Sequence, residues 1–136
     1  MKRTLVDTGP IVALIDRSDR HHGWARDQFD AIRTALHTCD AVIAEATYLL
    51  RSAGVDMTGP LDLMDRGVLE LDFDLAAERA SVATLLRRYS PRMDLADACL
   101  VRMSELHRDC TVLTLDSDFR VYRRFGRQVV PAILPR

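Results

Sequence analysis

Thr111-Val112-Leu113-Thr114-Leu115-Asp116-Ser117-Asp118-Phe119 is the stretch on which the fold turns: a run of β-branched and apolar residues, then an acid, then the turn-formers Ser117 and Asp118. Such a run, closed by polar turn residues, reads as a short buried strand. The N-terminus repeats the plan, with Thr4-Leu5-Val6 closed by Asp7. Between the two, short apolar runs alternate with longer helical patterns, the signature of parallel strands joined by crossover helices. The expected class is α/β, with a central, mainly parallel sheet of four to five strands flanked by helices in three layers. Strands are expected at about Arg3 to Val6, Val68 to Leu71, Val112 to Leu115 and Gln128 to Pro131. Helices are expected at about Gly9 to Asp16, His21 to Leu36, Asp40 to Ala53, Pro60 to Asp65, Leu75 to Tyr89, Leu95 to His107 and Asp118 to Phe125.

A chain of 136 residues with 48% hydrophobic content is long enough for one core and short for two, so residues 1–136 are expected to form a single domain. No stretch approaches the roughly 20 apolar residues of a membrane span. The N-terminus runs straight into a strand rather than an apolar leader, so a cytoplasmic protein is expected, with no membrane partner. Cys39, Cys99 and Cys110 form no CxxC pair and read as buried thiols. A net charge of −1 supplies no general positive field for polyanions, so any nucleic-acid contact must come from local patches. The candidates are Arg120, Arg123, Arg124 and Arg127 after Asp116, and Arg87, Arg88 and Arg92 before Asp97; a solvated helix face is the alternative.

Ligands of an open parallel sheet gather beyond the carboxyl ends of its strands, where Asp7 and Asp116 fall. Asp94-Leu95-Ala96-Asp97 reads as a helix start, with Asp94 as N-cap and Asp97 in the first turn. Capping alone would account for both acids, at about 1 kcal/mol for a cap. Glu45 lies on the flank of the apolar stripe Val42, Ala46, Leu49, Leu50 and is expected to be partly desolvated. Either a bound cation or an arginine partner would hold it ionised. If Asp7, Glu45, Asp97 and Asp116 converge, they form an oxygen nest suited to Mg²⁺ or Mn²⁺, the hardware of phosphodiester displacement. Two carboxylates about 4 Å apart repel by on the order of 4 kcal/mol at an effective dielectric near 20, which bound metal would relieve.

Rival readings carry less weight. A receiver-like phosphoacceptor domain needs a lysine near its last strands, and Lys2 is the sole lysine. No GxGxxG or P-loop pattern is present. Adjacent His21 and His22 point in different directions on a helix and read as surface histidines.

Leu5-Val6-Asp7-Thr8-Gly9-Pro10, Ile43-Ala44-Glu45-Ala46-Thr47-Tyr48, Met93-Asp94-Leu95-Ala96-Asp97-Ala98 and Leu113-Thr114-Leu115-Asp116-Ser117-Asp118-Phe119, in this order and spacing, resemble the PIN-domain family, and most of all the VapC-type toxins of type II toxin-antitoxin modules. The resemblance spans nearly the whole chain. It implies a PIN-like fold and a Mg²⁺-dependent endoribonuclease, with Mn²⁺ as the other candidate ion. It implies catalytic acids at Asp7, Glu45, Asp97 and Asp116, with Asp7 and Asp97 the direct metal ligands. Thr8, Asp94 and Asp118 match supporting positions. It further implies an RNA substrate, 5′-phosphate and 3′-hydroxyl products, a homodimer, and a small antitoxin that blocks the site. Leu14, Ile15, Trp24 and Phe29 are the candidates for an apolar groove receiving it. The alternatives are a PIN nuclease acting on DNA or structured nucleic acid, and a non-catalytic PIN scaffold working by protein binding.

Overall fold

A computed structural model describes residues 1–136. In chain order the elements are β1 (Arg3–Val6), α1 (Thr8–Ile15), α2 (His22–Ala31), β2 (Leu36–Thr38), α3 (Asp40–Ser52), α4 (Gly59–Asp65) and β3 (Leu69–Leu71). α5 (Leu75–Tyr89), α6 (Leu95–Leu106), β4 (Cys110–Leu113), a 3-10 turn (Ser117–Arg120), β5 (Arg123–Arg124), β6 (Gln128–Val129) and β7 (Ala132–Ile133) follow. The main sheet has five strands in the order β3-β2-β1-β4-β7, and every pairing in it is parallel. The register of the central pair runs from Arg3 opposite Cys110 to Val6 opposite Leu113. This is the parallel α/β sheet expected from the sequence, flanked by six helices.

The order of strands makes the site. From β1 the chain steps outward through β2 to β3, then returns to the other side of β1 as β4. The carboxyl ends of β1 and β4 therefore flank the switch point, where an open parallel sheet leaves a crevice. Right-handed crossovers in the two directions put α1 to α4 on one face and α5 with α6 on the other. Leu5, Val6, Val112 and Leu113 are buried on both faces, as central parallel strands must be. α3 supplies Val42, Ala46 and Leu50 to the same core at four-residue spacing and leaves Tyr48 and Leu49 exposed. The three cysteines are free and buried. No helix is long and apolar enough to cross a membrane.

Three assignments made from sequence are corrected. The helix expected to run from His21 to Leu36 stops at Ala31, and Leu36–Thr38 is a strand inserted between β1 and β3. Leu36 and Thr38 are buried with His37 between them partly buried, following the period of two of an extended strand. The helix expected at Asp118 to Phe125 is a 3-10 turn followed by a hairpin, in which Arg123–Arg124 pairs antiparallel with Gln128–Val129. Phe125 and Gly126 make the reversal at φ 54 and φ 78. Gln128–Val129 thus lies outside the main sheet, whose fifth strand is Ala132–Ile133. Of the residues expected to line an apolar groove, one is buried and three keep part of their surface exposed. Phe29 is a core residue, and Leu14, Ile15 and Trp24 are partly buried against the core. Nor is His22 a free surface group, because its Nδ1 lies 2.8 Å from the Ala13 carbonyl oxygen.

Candidate active site

Asp7 follows β1 and becomes the N-cap of α1. Its Oδ1 accepts the Thr8 N–H at 2.8 Å, and its Oδ2 accepts the Thr114 hydroxyl at 2.7 Å. The Thr114 hydroxyl also accepts the Asp116 N–H at 2.9 Å, so one fully buried side chain ties together the acids that leave β1 and β4. Asp116 caps the 3-10 turn, accepting the Asp118 N–H on Oδ1 at 2.9 Å. Gly9 lets the start of α1 lie against Leu115: a Cβ there would sit 3.0 Å from Leu115 Cδ1.

The helix start expected at Asp94 is a full capping box. Asp94 Oδ1 accepts the Asp97 N–H at 2.8 Å, and Asp97 Oδ2 accepts the Asp94 N–H at 3.3 Å. Asp97 Oδ2 also accepts the Tyr122 hydroxyl at 3.0 Å. Asp97 Oδ1 is left with no protein partner. Glu45, half-buried on α3, takes part in none of the ion pairs in the structure, which removes the arginine explanation for it.

Asp7, Thr8, Glu45, Asp94, Asp97 and Asp116 line one cavity of about 250 Å³, rimmed by Gly9, Leu49 and Leu115. The acids expected at the site, scattered over the chain, thus meet at the switch point. Asp118 does not join them; its carboxylate stands 3.9 Å from Arg92 Nε. No Lys, Arg or His lines the cavity. Burial, reinforced by repulsion from Asp116 and Asp94, raises Asp7 from 3.8 to about 6 against the pull of the Thr114 and Thr8 hydrogen bonds. Burial, then repulsion from Asp94 and Asp7, raises Asp97 from 3.8 to about 7. Glu45 is raised by the same causes, burial first, with the nearby Thr8 side chain opposing. Burial, then the Asp97 carboxylate, pushes the Tyr122 phenol up, so it acts as a donor.

The donor chemistry suits a hard divalent cation. It is all oxygen, it is negative without a counter-charge, and the Thr8 Oγ1 beside it is buried without a hydrogen-bond partner. No group of three or more Asp, Glu, His or Cys side chains is disposed as a ready-made metal cage. Mg²⁺ does not require one, since it keeps several waters and takes one or two carboxylates directly.

The arginines divide. Arg124 Nη1 donates to the Ser104 carbonyl at 3.0 Å and to the Arg108 carbonyl at 2.9 Å, and Arg123 Nη1 donates to the Arg120, Val121 and Tyr122 carbonyls. These two brace the C-terminal hairpin. Arg87, Arg88, Arg120 and Arg127 are exposed. Two residues of the site escaped the sequence reading. Thr114 had a signal, a hydroxyl at the end of a buried strand two residues before an acid. Tyr122 had none, because it lay in a stretch read as helix.

The PIN domain family matches residues 4–124. Ribonuclease VapC26 of Mycobacterium tuberculosis (strain ATCC 25618 / H37Rv) is 31% identical over 115 residues, covering 82% of this chain and 85% of the relative. The fold is similar to the crystal structure of Mycobacterium tuberculosis VapC20, described as a sarcin-ricin loop cleaving toxin, with a TM-score of 0.73, 20% identity, and coverage of 87% of this chain and 93% of that one. The family match over residues 4–124, together with a relative above 30% identity over most of both chains, establishes that this chain belongs to the PIN-domain family and is of the VapC type.

Proposed function

We propose that the chain is a Mg²⁺-dependent endoribonuclease, the toxin of a type II toxin-antitoxin module, hydrolysing RNA phosphodiester bonds at the acid cavity. The observation that carries this is the cavity at the β1/β4 switch point, lined by five carboxylates and no cation. Asp7 and Asp97 would hold the metal, Mg²⁺ or Mn²⁺, which when bound supplies Lewis acidity at the phosphate and an acidified water. The chain's own residues do the rest. Thr114 and the Thr8 N–H hold Asp7. Glu45, half-buried and without a counter-charge, would orient or deprotonate a water in the cavity it lines. Asp116 keeps Oδ2 free of protein partners for the same use, while its Oδ1 holds the turn. The exposed arginines Arg87, Arg88, Arg120 and Arg127 would meet the RNA backbone.

The VapC type further favours a small antitoxin and a second copy of the chain as partners. The apolar side chains Leu49 and Leu95, both exposed close to the acids, offer a surface on which a partner could cover the site. A test is the incubation of purified protein with an RNA hairpin and the DNA hairpin of the same sequence, in Mg²⁺ and in chelator. Cleavage of the RNA alone, dependent on Mg²⁺, is expected. Cleavage of the DNA alone would shift the substrate, and cleavage of neither would favour a scaffold.

A further inference from the structure

We propose that Tyr122 is the positioning residue for Asp97: its buried hydroxyl holds Oδ2 so that Oδ1 is the oxygen presented to the cavity. The inference rests on reading that cavity as a metal-dependent nuclease site. A carboxylate on the first turn of a helix rotates easily about its terminal bond. The capping contact to the Asp94 N–H, at 3.3 Å, is long for a hydrogen bond and restrains it weakly. The Tyr122 hydroxyl lies at 3.0 Å and falls on the same oxygen. Both donors therefore act on Oδ2, and Oδ1 alone is free to serve a ligand.

The phenol is itself immobilised. Tyr122 is fully buried. Its ring meets Phe119 edge-on at 5.4 Å and Tyr89 edge-on at 5.2 Å between centroids. Tyr89 is pinned in turn, because its hydroxyl accepts the Arg123 N–H at 2.9 Å. The residues after Asp116 thus fold back over α6 and reach the cavity wall through one hydroxyl. A group that orients a metal-binding carboxylate is worth about 10- to 100-fold in metal affinity or activity. A tyrosine buried only for packing would bring no such dependence.

Tyr122→Phe keeps the ring and removes the donor. The test measures, for wild type and variant, two Mg²⁺ midpoints: the dissociation constant fitted to the logarithmic rise of melting temperature with Mg²⁺, and the Mg²⁺ concentration giving half-maximal RNA cleavage. Val82→Ala, a packing change in the core away from the cavity, is the control for lost stability. The variant is expected to fold, with both Mg²⁺ midpoints raised about 10-fold or more, while Val82→Ala keeps wild-type midpoints despite melting earlier. Midpoints in Tyr122→Phe equal to wild type, or shifted equally in Val82→Ala, overturn the positioning role and leave the metal site standing. A wild type whose melting and cleavage both ignore Mg²⁺ overturns the metal reading and this inference with it.

Discussion

Replacing Asp7 with asparagine should remove a loss of stability that the metal-free protein suffers as the pH rises to neutrality, while abolishing its activity. Asp7 is 7% exposed, and its folded pKa is raised from 3.8 to about 6. A raised acid contributes stability that is fully present below pH 3.8 and lost as the pH rises through about 6, because the folded state must then ionise a buried carboxyl. A rise of that size is worth roughly 3 kcal/mol between the two protonation states. For a domain of this size 1 kcal/mol moves the melting temperature by about 3–5 °C. The amide keeps the oxygen that accepts from Thr8 or Thr114 but does not ionise. The difference in melting temperature, Asp7→Asn minus wild type, should therefore climb by roughly 10 °C between about pH 4 and pH 8 in chelator, whatever constant offset the amide introduces. Mg²⁺ at about pH 8 should narrow the gap by stabilising wild type alone. The assay is thermal melting by circular dichroism at half-unit pH steps. Parallel melting curves for the two proteins across that range would refute the claim that Asp7 is held as a strained acid.

Other consequences follow from the same geometry. Thr114→Val strips the donor from Asp7 and the acceptor from the Asp116 N–H, and should cost about 2–3 kcal/mol in urea unfolding and at least about 10-fold in cleavage rate; full stability and activity would show that the Thr114 bridge does not matter. Arg124→Ala should lower stability by about 1–2 kcal/mol with unchanged RNA affinity at matched folding, because its guanidinium is spent on the Ser104 and Arg108 carbonyls. Arg127→Ala should do the reverse, keeping the melting temperature and weakening RNA binding in a salt-dependent way, read by fluorescence anisotropy in a salt series. An RNA affinity untouched by Arg127→Ala would remove that side chain from the binding surface.

What was legible in the sequence had local causes. Thr4-Leu5-Val6-Asp7 and the run ending in Asp116 declared themselves because central parallel strands are buried on both faces and read as unbroken apolar runs. The capping box at Asp94 and Asp97 was legible because its chemistry lies within one helical turn. β2 was not, because Leu36-His37-Thr38 is only three residues long and owes its conformation to β1 and β3 on either side. The stretch after Asp116 misled for a different reason. Phe119 and Tyr122 stand three residues apart, a spacing shared by an α-helix and a 3-10 turn, and the reversal at Phe125 and Gly126 decided against the helix. Asp7, Asp97 and Asp116 could be named from their places at strand ends and a helix start, and Glu45 from its place on the flank of the apolar stripe of α3. Thr114 and Tyr122 could not be assigned roles, since their partners depend on the β1/β4 register and on where the C-terminal hairpin folds back.

The most direct test of the central claim is cleavage of labelled total cellular RNA by the purified protein, free of any antitoxin, in Mg²⁺ or Mn²⁺ against chelator, with Asp97→Asn as the paired sample. Cuts that require the metal and vanish in a folded Asp97→Asn protein are the predicted result. Equal cutting by the variant, or cutting that survives the chelator, would contradict the acid cavity as the seat of the activity.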